Sequence, residues 1–106
     1  MIMTKPLLLM AITAAWLSAA TVEIRNGTGL ELYFVWITEA GREKWTDMLG
    51  MSVLRPDSTI VFQVPRGWYD LRLQDSNWDN YTLERVPLSD SNRFIWVAEP
   101  VHRDEP

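Results

Sequence analysis

The chain has 106 residues, ten basic and fourteen acidic side chains, a formal charge of −4 and no cysteine. That length fits one small domain, and that charge gives little attraction for nucleic acid or anionic lipid, both of which favour clustered Lys and Arg. The missing thiols exclude disulfides, thiol catalysis and an acylated N-terminal cysteine.

The first twenty residues read as a secretory signal peptide. Lys5 supplies a positive start, Leu7 to Leu17 an apolar run, and Ser18-Ala19-Ala20 the small side chains of a cleavage site. The run is shorter than the twenty or so apolar residues that a membrane span needs. The expectation is a soluble mature domain from about Thr21, periplasmic or secreted, with no membrane span after cleavage. Without Lys5 it holds nine basic residues against fourteen acidic ones, a formal charge of −5.

From Thr21 onward the hydropathy period is two. Thr21 to Arg25 alternates and stops at Asn26-Gly27-Thr28-Gly29, a turn signal. Leu30, Leu32, Phe34 and Trp36 then fall on one face of a second strand, and Tyr33, Val35 and Ile37 on the other, the pattern of a strand covered on both sides. Residues 45–54 lack alternation. They predict either a short helical turn over Thr46 to Leu49 or an irregular crossover, with Trp45, Met48, Leu49 and Leu54 plugging one end of the core. A strand follows over 58–64 and is broken by Pro65-Arg66-Gly67; a fourth has Tyr69, Leu71 and Leu73 inward and Asp70, Arg72 and Gln74 outward, a fifth runs through Tyr81 and Leu83 up to Pro87, and a sixth spans 92–98. Short strands at about ten-residue spacing with turns between them predict a sandwich or small barrel. The polar tail over 99–106 is expected to be loose.

Small exported domains often lean on disulfides. This one must rely on apolar burial, and five Trp, three Tyr and three Phe beyond the leader supply it. Each buried aromatic removes about 150–250 Å² from water, which is worth several kcal/mol at about 25 cal/mol per Å². Trp36 and Trp96 are assigned to the core.

The succession Asn26-Gly-Thr-Gly29, Trp45-Thr-Asp-Met-Leu-Gly50, Leu54-Arg-Pro-Asp-Ser58 and Gly67-Trp-Tyr-Asp-Leu-Arg72 resembles a group of small exported bacterial β-sandwich proteins of uncharacterised function. The resemblance spans nearly the whole mature chain and implies a fold rather than an activity. The sequence departs from the group at Asp57, where Gly is usual, and in the crowding of Trp45 against Thr46.

Asp75-Ser-Asn77-Trp-Asp79-Asn80 places oxygen-bearing side chains at alternate positions, the first half of a Ca²⁺ loop. An EF-hand is excluded, because its twelfth position, which needs a bidentate Glu, is Val86 and the flanks read as strands. Two readings stay open: a Ca²⁺ site of Asp75, Asn77 and Asp79 completed by Asp47 or Asp90, or a polar hairpin turn in which Asp and Asn bond their own backbone. Catalysis has little support. The single histidine, His102, lies in the tail, and a carboxylate-dependent hydrolase would need Asp70, Asp75, Asp79 or Glu84 to converge. Trp68, on the outward face with Asp70 and Arg72, and Trp78, at the turn tip, are the candidate ligand-binding residues. Exposed tryptophans stack on sugar rings and anchor protein interfaces. Asn26-Gly-Thr28 and Asn80-Tyr-Thr82 match the glycosylation acceptor by accident if the chain is bacterial.

The sequence therefore predicts an all-β chain: a leader over 1–20, a small, mostly antiparallel β-sandwich of six to seven strands over 21–98, and a flexible tail. The expected function is that of an exported non-catalytic module binding a protein or a cell-envelope glycan. A Ca²⁺-stabilised structural domain stands second and a small hydrolase third.

Overall fold

The computed structural model describes residues 19–105. The leader expected over 1–20 lies outside these, except for Ala19 and Ala20, which open the first strand. Seven strands form: β1 (Ala19–Asn26), β2 (Leu32–Glu39), β3 (Thr46–Asp47), β4 (Thr59–Pro65), β5 (Gly67–Asp75), β6 (Asn80–Leu88) and β7 (Phe94–Ala98). They make a small β-sandwich of two sheets, ordered β4-β1-β7 and β3-β2-β5-β6. All pairs are antiparallel except β1 with β7, which runs parallel from Val22↔Phe94 to Asn26↔Ala98.

The period of two sets the core. In β1, Ala20, Val22, Ile24 and Asn26 are buried while Thr21, Glu23 and Arg25 face outward. In β5, Tyr69, Leu71, Leu73 and Asp75 turn inward. Tyr81, Val86 and Leu88 from β6 meet Trp96 and Ala98 from β7 in the same apolar cluster. The half-buried Ile60, Phe62 and Val64 pack against it from edge strand β4.

Two bulges break the simple alternation. On β2 the register advances two residues, Leu32 to Phe34, while β5 advances one, so Tyr33 is the inserted residue. Beyond it Val35 and Ile37 are buried alongside Leu32, and Phe34 and Trp36 turn to the outer face. This corrects two expectations: Leu32 does not share a face with Phe34 and Trp36, and Trp36 is half-buried on the outside. Trp96 does lie in the core. The second bulge inserts a residue in β6 opposite Asp70, with Arg85 at φ 55°. Asp70 Oδ1 accepts the Arg85 N–H there at 2.9 Å.

Residues 45–54 form no helix: beyond the two-residue strand β3 they run irregularly toward β4 in the other sheet, the crossover alternative. Thr46 and Asp47 pair with Ile37 and Trp36, and Asp47 Oδ1 accepts from Val35 N and Leu49 N, both at 3.1 Å. Met48, Leu49 and buried Leu54 close the core as expected, but Trp45 does not. It lies under the Arg72 guanidinium, 4.8 Å from the ring centroid.

The turn after β1 is held by one side chain. Buried Asn26 donates from Nδ2 to Leu30 O (2.7 Å) and Leu54 O (2.9 Å), and its Oδ1 accepts from Thr28 N and Oγ1. Gly27 is required beside it, since a Cβ would stand 2.9 Å from Ala98 O.

The tail, expected to be loose, makes contacts with β6 over its described residues 99–105. Pro100–His102 form one 3-10 turn, Asp104 N donates to Asn80 O (2.7 Å), and Thr82 N donates to Asp104 Oδ1 (2.9 Å). Sequence periodicity carries no sign of this, because the contacts are polar and tertiary.

Candidate functional site

The outer face of the four-stranded sheet carries most of the aromatic side chains that the core does not use. Because 69, 71, 73 and 75 of β5 point inward, Trp68, Asp70, Arg72 and Gln74 must line the outside. The register sets Trp36 beside Arg72 and Phe34 beside Gln74. Phe34 and Trp36 stack with centroids 4.6 Å apart and planes 10° from parallel. Arg72 lies over Trp45 and also donates from Nε to Thr82 Oγ1 (3.3 Å), while Gln74 Nε2 donates to Asn80 Oδ1 (3.1 Å). Aromatic rings thus alternate with amide, hydroxyl and guanidinium groups across one sheet face.

Trp68 and Trp78 mark the two ends of this strip. Trp68 is 57 % exposed, with the Arg85 guanidinium 6.0 Å from its ring centroid. Trp78 is 64 % exposed and meets Tyr33 edge-to-face at 5.6 Å. Trp68 stands seven positions before Asp75 along β5, a rise on the order of 20 Å, and Trp78 lies beyond Asp75 in the turn. Phe34, Trp36 and Trp45, which lie between them, escaped sequence reasoning: the bulge that turns Phe34 and Trp36 outward leaves no mark on an aromatic-rich strand.

The six residues from Asp75 to Asn80 are a hairpin turn. Asp75 N donates to Asp79 O (3.0 Å) and Trp78 N to Asp75 O (2.9 Å), so Ser76, Asn77 and Trp78 form a three-residue loop. Such loops place their third residue in the left-handed region, where glycine is the usual choice. Here that residue is Trp78, at φ 67°.

Asp75 is fully buried and both its oxygens face inward to the turn. Oδ1 accepts from Asn77 N (2.8 Å) and Asp79 N (3.0 Å), and Oδ2 accepts from Tyr81 Oη (2.8 Å). Burial first, and then the hydrogen bond and charge of Asp75, push the Tyr81 phenol well above the usual tyrosine range. Asp79 turns the other way, its Oδ2 3.5 Å from Arg103 Nη1, and Asn77 is exposed. Asp75 is thus occupied by the turn and Tyr81, Asp79 by Arg103, and Asp47 by Val35 N and Leu49 N. Among the described residues no group of three or more His, Asp or Glu side chains is arranged to hold a metal ion.

The carboxylates considered for hydrolysis are likewise separated by role. Asp70 accepts main-chain N–H groups of Arg85 and Gly41, Asp75 is inside the turn, and Glu84 is exposed at the β6 bulge. His102 Nδ1 accepts the Glu99 N–H within its own turn (3.1 Å). A cleft of about 270 Å³ opens where the sheets part near Tyr69, lined by Ile37, Thr38, Val64 and Pro65 with Glu39, Arg42 and Lys44 at its rim. Its charged pair, Glu39 with Arg42 at 3.5 Å, is mostly solvated, and Tyr69 Oη is committed to Pro65 O (2.6 Å).

Among the described residues no helix is long and apolar enough to cross a membrane. No family model, no curated protein and no solved structure matches the chain.

Proposed function

We propose that the protein is an exported, non-catalytic binding module whose ligand, a protein or a cell-envelope glycan, lies along the outer face of the four-stranded sheet between Trp68 and Trp78. The observation that carries this reading is Trp78. A bulky residue in the left-handed region costs about 1–2 kcal/mol relative to an ordinary conformation, and glycine at the same place costs nothing. The loop thus tolerates strain to hold an indole that is 64 % exposed. Backbone strain of this kind concentrates at ligand sites. The chemistry of the strip fits the same role: indole and phenyl rings accept the apolar face of a sugar or an aromatic partner, and Gln74, Asn80, Thr82 and Arg72 offer donors and acceptors beside them. The leader-like first twenty residues support export, and the resemblance to small exported bacterial sandwich proteins points the same way.

Affinity electrophoresis of the protein through gels containing cell-wall polysaccharides, run beside chemical cross-linking to envelope proteins, tests the reading. Retardation or cross-linking that Trp78→Gly and Trp68→Ala each weaken supports it. Ligand capture indifferent to both substitutions sinks it.

A further inference from the structure

The outer edge of β6 adjoins the Trp68–Trp78 strip and shares Asn80 and Thr82 with it, but it presents main-chain groups that the strip does not use. Asn80 and Thr82 offer main-chain groups on the side away from β5, and the chain's own C-terminal segment takes them. Asp104 supplies both ends of the contact: its N–H goes to Asn80 O, and its carboxylate accepts from Thr82 N and Thr82 Oγ1. Arg103 is extended (φ −58°, ψ 140°) and reaches Asp79 at 3.5 Å. No residue from 99 to 105 is buried. The segment is held by one main-chain bond, one carboxylate and one exposed ion pair.

We propose that the β6 edge is an acceptor for an extended peptide of a partner protein carrying a basic residue followed by an acidic one, and that Arg103-Asp104 is the intramolecular competitor which that peptide displaces. An uncovered sheet edge is a template for strand addition, and proteins commonly cover such edges with a loop. Peptides that bind this way draw affinity from main-chain bonds and specificity from alternate side chains. The tail defines the specificity here. The acidic residue meets the Thr82 N–H and hydroxyl, with the Arg72 guanidinium behind them, since Arg72 Nε donates to the same Thr82 Oγ1. The basic residue before it meets Asp79. A second copy of the chain is disfavoured as occupant, because its tail would make the same contacts that the short 3-10 linker already provides at an effective concentration of about millimolar. A partner gains by continuing along β6 beyond Thr82.

The test uses the full chain and a fluorescent octapeptide of residues 99–106, read by anisotropy, with thermal melts confirming that each variant is folded. Asp104→Ala is expected to bind the peptide at least about tenfold tighter than the unaltered chain, because its own tail no longer competes. Adding Thr82→Val or Asp79→Asn to Asp104→Ala is expected to weaken that binding severalfold, as is replacing the peptide's Asp by Asn. Equal binding to the unaltered and Asp104→Ala chains, or binding indifferent to Thr82 and Asp79, overturns the proposal. Concentration-dependent dimers of the unaltered chain that the octapeptide dissolves would assign the edge to a second copy, and overturn the assignment to a partner.

Discussion

Tyr81 donates its phenolic hydrogen to Asp75 Oδ2 at 2.8 Å, and both side chains are almost wholly buried. One carboxylate thereby ties a hairpin turn to the core: its other oxygen holds two main-chain N–H groups of the same turn. Replacing Asp75 by Ala leaves three donors without a partner. Hydrogen bonds to a charged group contribute about 1.5–3 kcal/mol each, so the loss is expected to reach roughly 3–5 kcal/mol. Tyr81→Phe removes one bond and is expected to cost about 1–2 kcal/mol. Urea unfolding of the two single variants and the double variant reads both values and their coupling.

Alkaline pH reports the same pair. The folded phenol of Tyr81 keeps its proton to higher pH than the unfolded one, owing to burial and the adjacent Asp75. Above about pH 10 the unfolded chain therefore releases a proton that the folded chain retains. The stability linked to this contact is whole below that pH and falls as the pH rises through it, by up to about 1.4 kcal/mol per unit. Tyr69, raised by burial and by Glu39, adds in the same direction. Denaturant midpoints between pH 8 and 11.5 are expected to show this decline, and Tyr81→Phe to make it shallower.

Trp78 separates stability from binding. In Trp78→Gly the backbone strain is relieved, by about 1 kcal/mol, while the edge contact with Tyr33, worth about 0.5–1.5 kcal/mol, is lost. The melting temperature is expected to stay within a few degrees of the unaltered protein. Trp78→Ala keeps the strain and loses the contact, so it is expected to melt lower than Trp78→Gly.

Trp36 and Trp96 provide a test of which face is inside. Trp96 is 7 % exposed within the apolar cluster, so Trp96→Ala is expected to cost about 3–5 kcal/mol. Trp36 lies on the outer face against Phe34, and Trp36→Ala is expected to cost about 1–2 kcal/mol. Equal losses in denaturant unfolding would contradict the placement of Trp36.

Asn26 and Gly27 concern the first turn. Asn26→Asp removes two buried donations, to Leu30 O and Leu54 O, and sets a carboxylate against two carbonyls. It is expected to cost 3 kcal/mol or more, on the order of a broken buried charge pair. Gly27→Ala presses a Cβ on Ala98 O and is expected to cost about 1–3 kcal/mol. Thermal melts of the two variants check both values.

The strands were legible because one residue in two is apolar, and this holds wherever one face of a strand is wet. It failed on β2, where Tyr33, Phe34, Val35, Trp36 and Ile37 are all apolar and no alternation says which are inside. A one-residue bulge then decides the matter, and it depends on how β5 pairs rather than on β2 alone. The Asp75 turn was legible as one of two alternatives, since Asp and Asn suit both a turn and a cation. Only the inward direction of the Asp75 side chain shows its oxygens filled by Asn77, Asp79 and Tyr81. Trp68 and Trp78 were legible as candidates for exposure, from a strand face and a turn tip, with edge packing of Trp68 as the alternative. The strip between them was not, because it is assembled from three separate strands and a loop.

The parallel pairing of β1 with β7 also governs the order in which the chain can fold. β1 is the middle strand of its sheet, yet Val22 finds its partner Phe94 about seventy residues later, and its other neighbour, β4, is about forty residues away. The β5–β6 hairpin can form locally, in microseconds, and β2 can join it. The three-stranded sheet must wait for the last strand, and such non-local closure is slow. A chain interrupted before Phe94 can still pair β1 with β4, but the other edge of β1 stays open and the apolar cluster lacks Trp96 and Ala98.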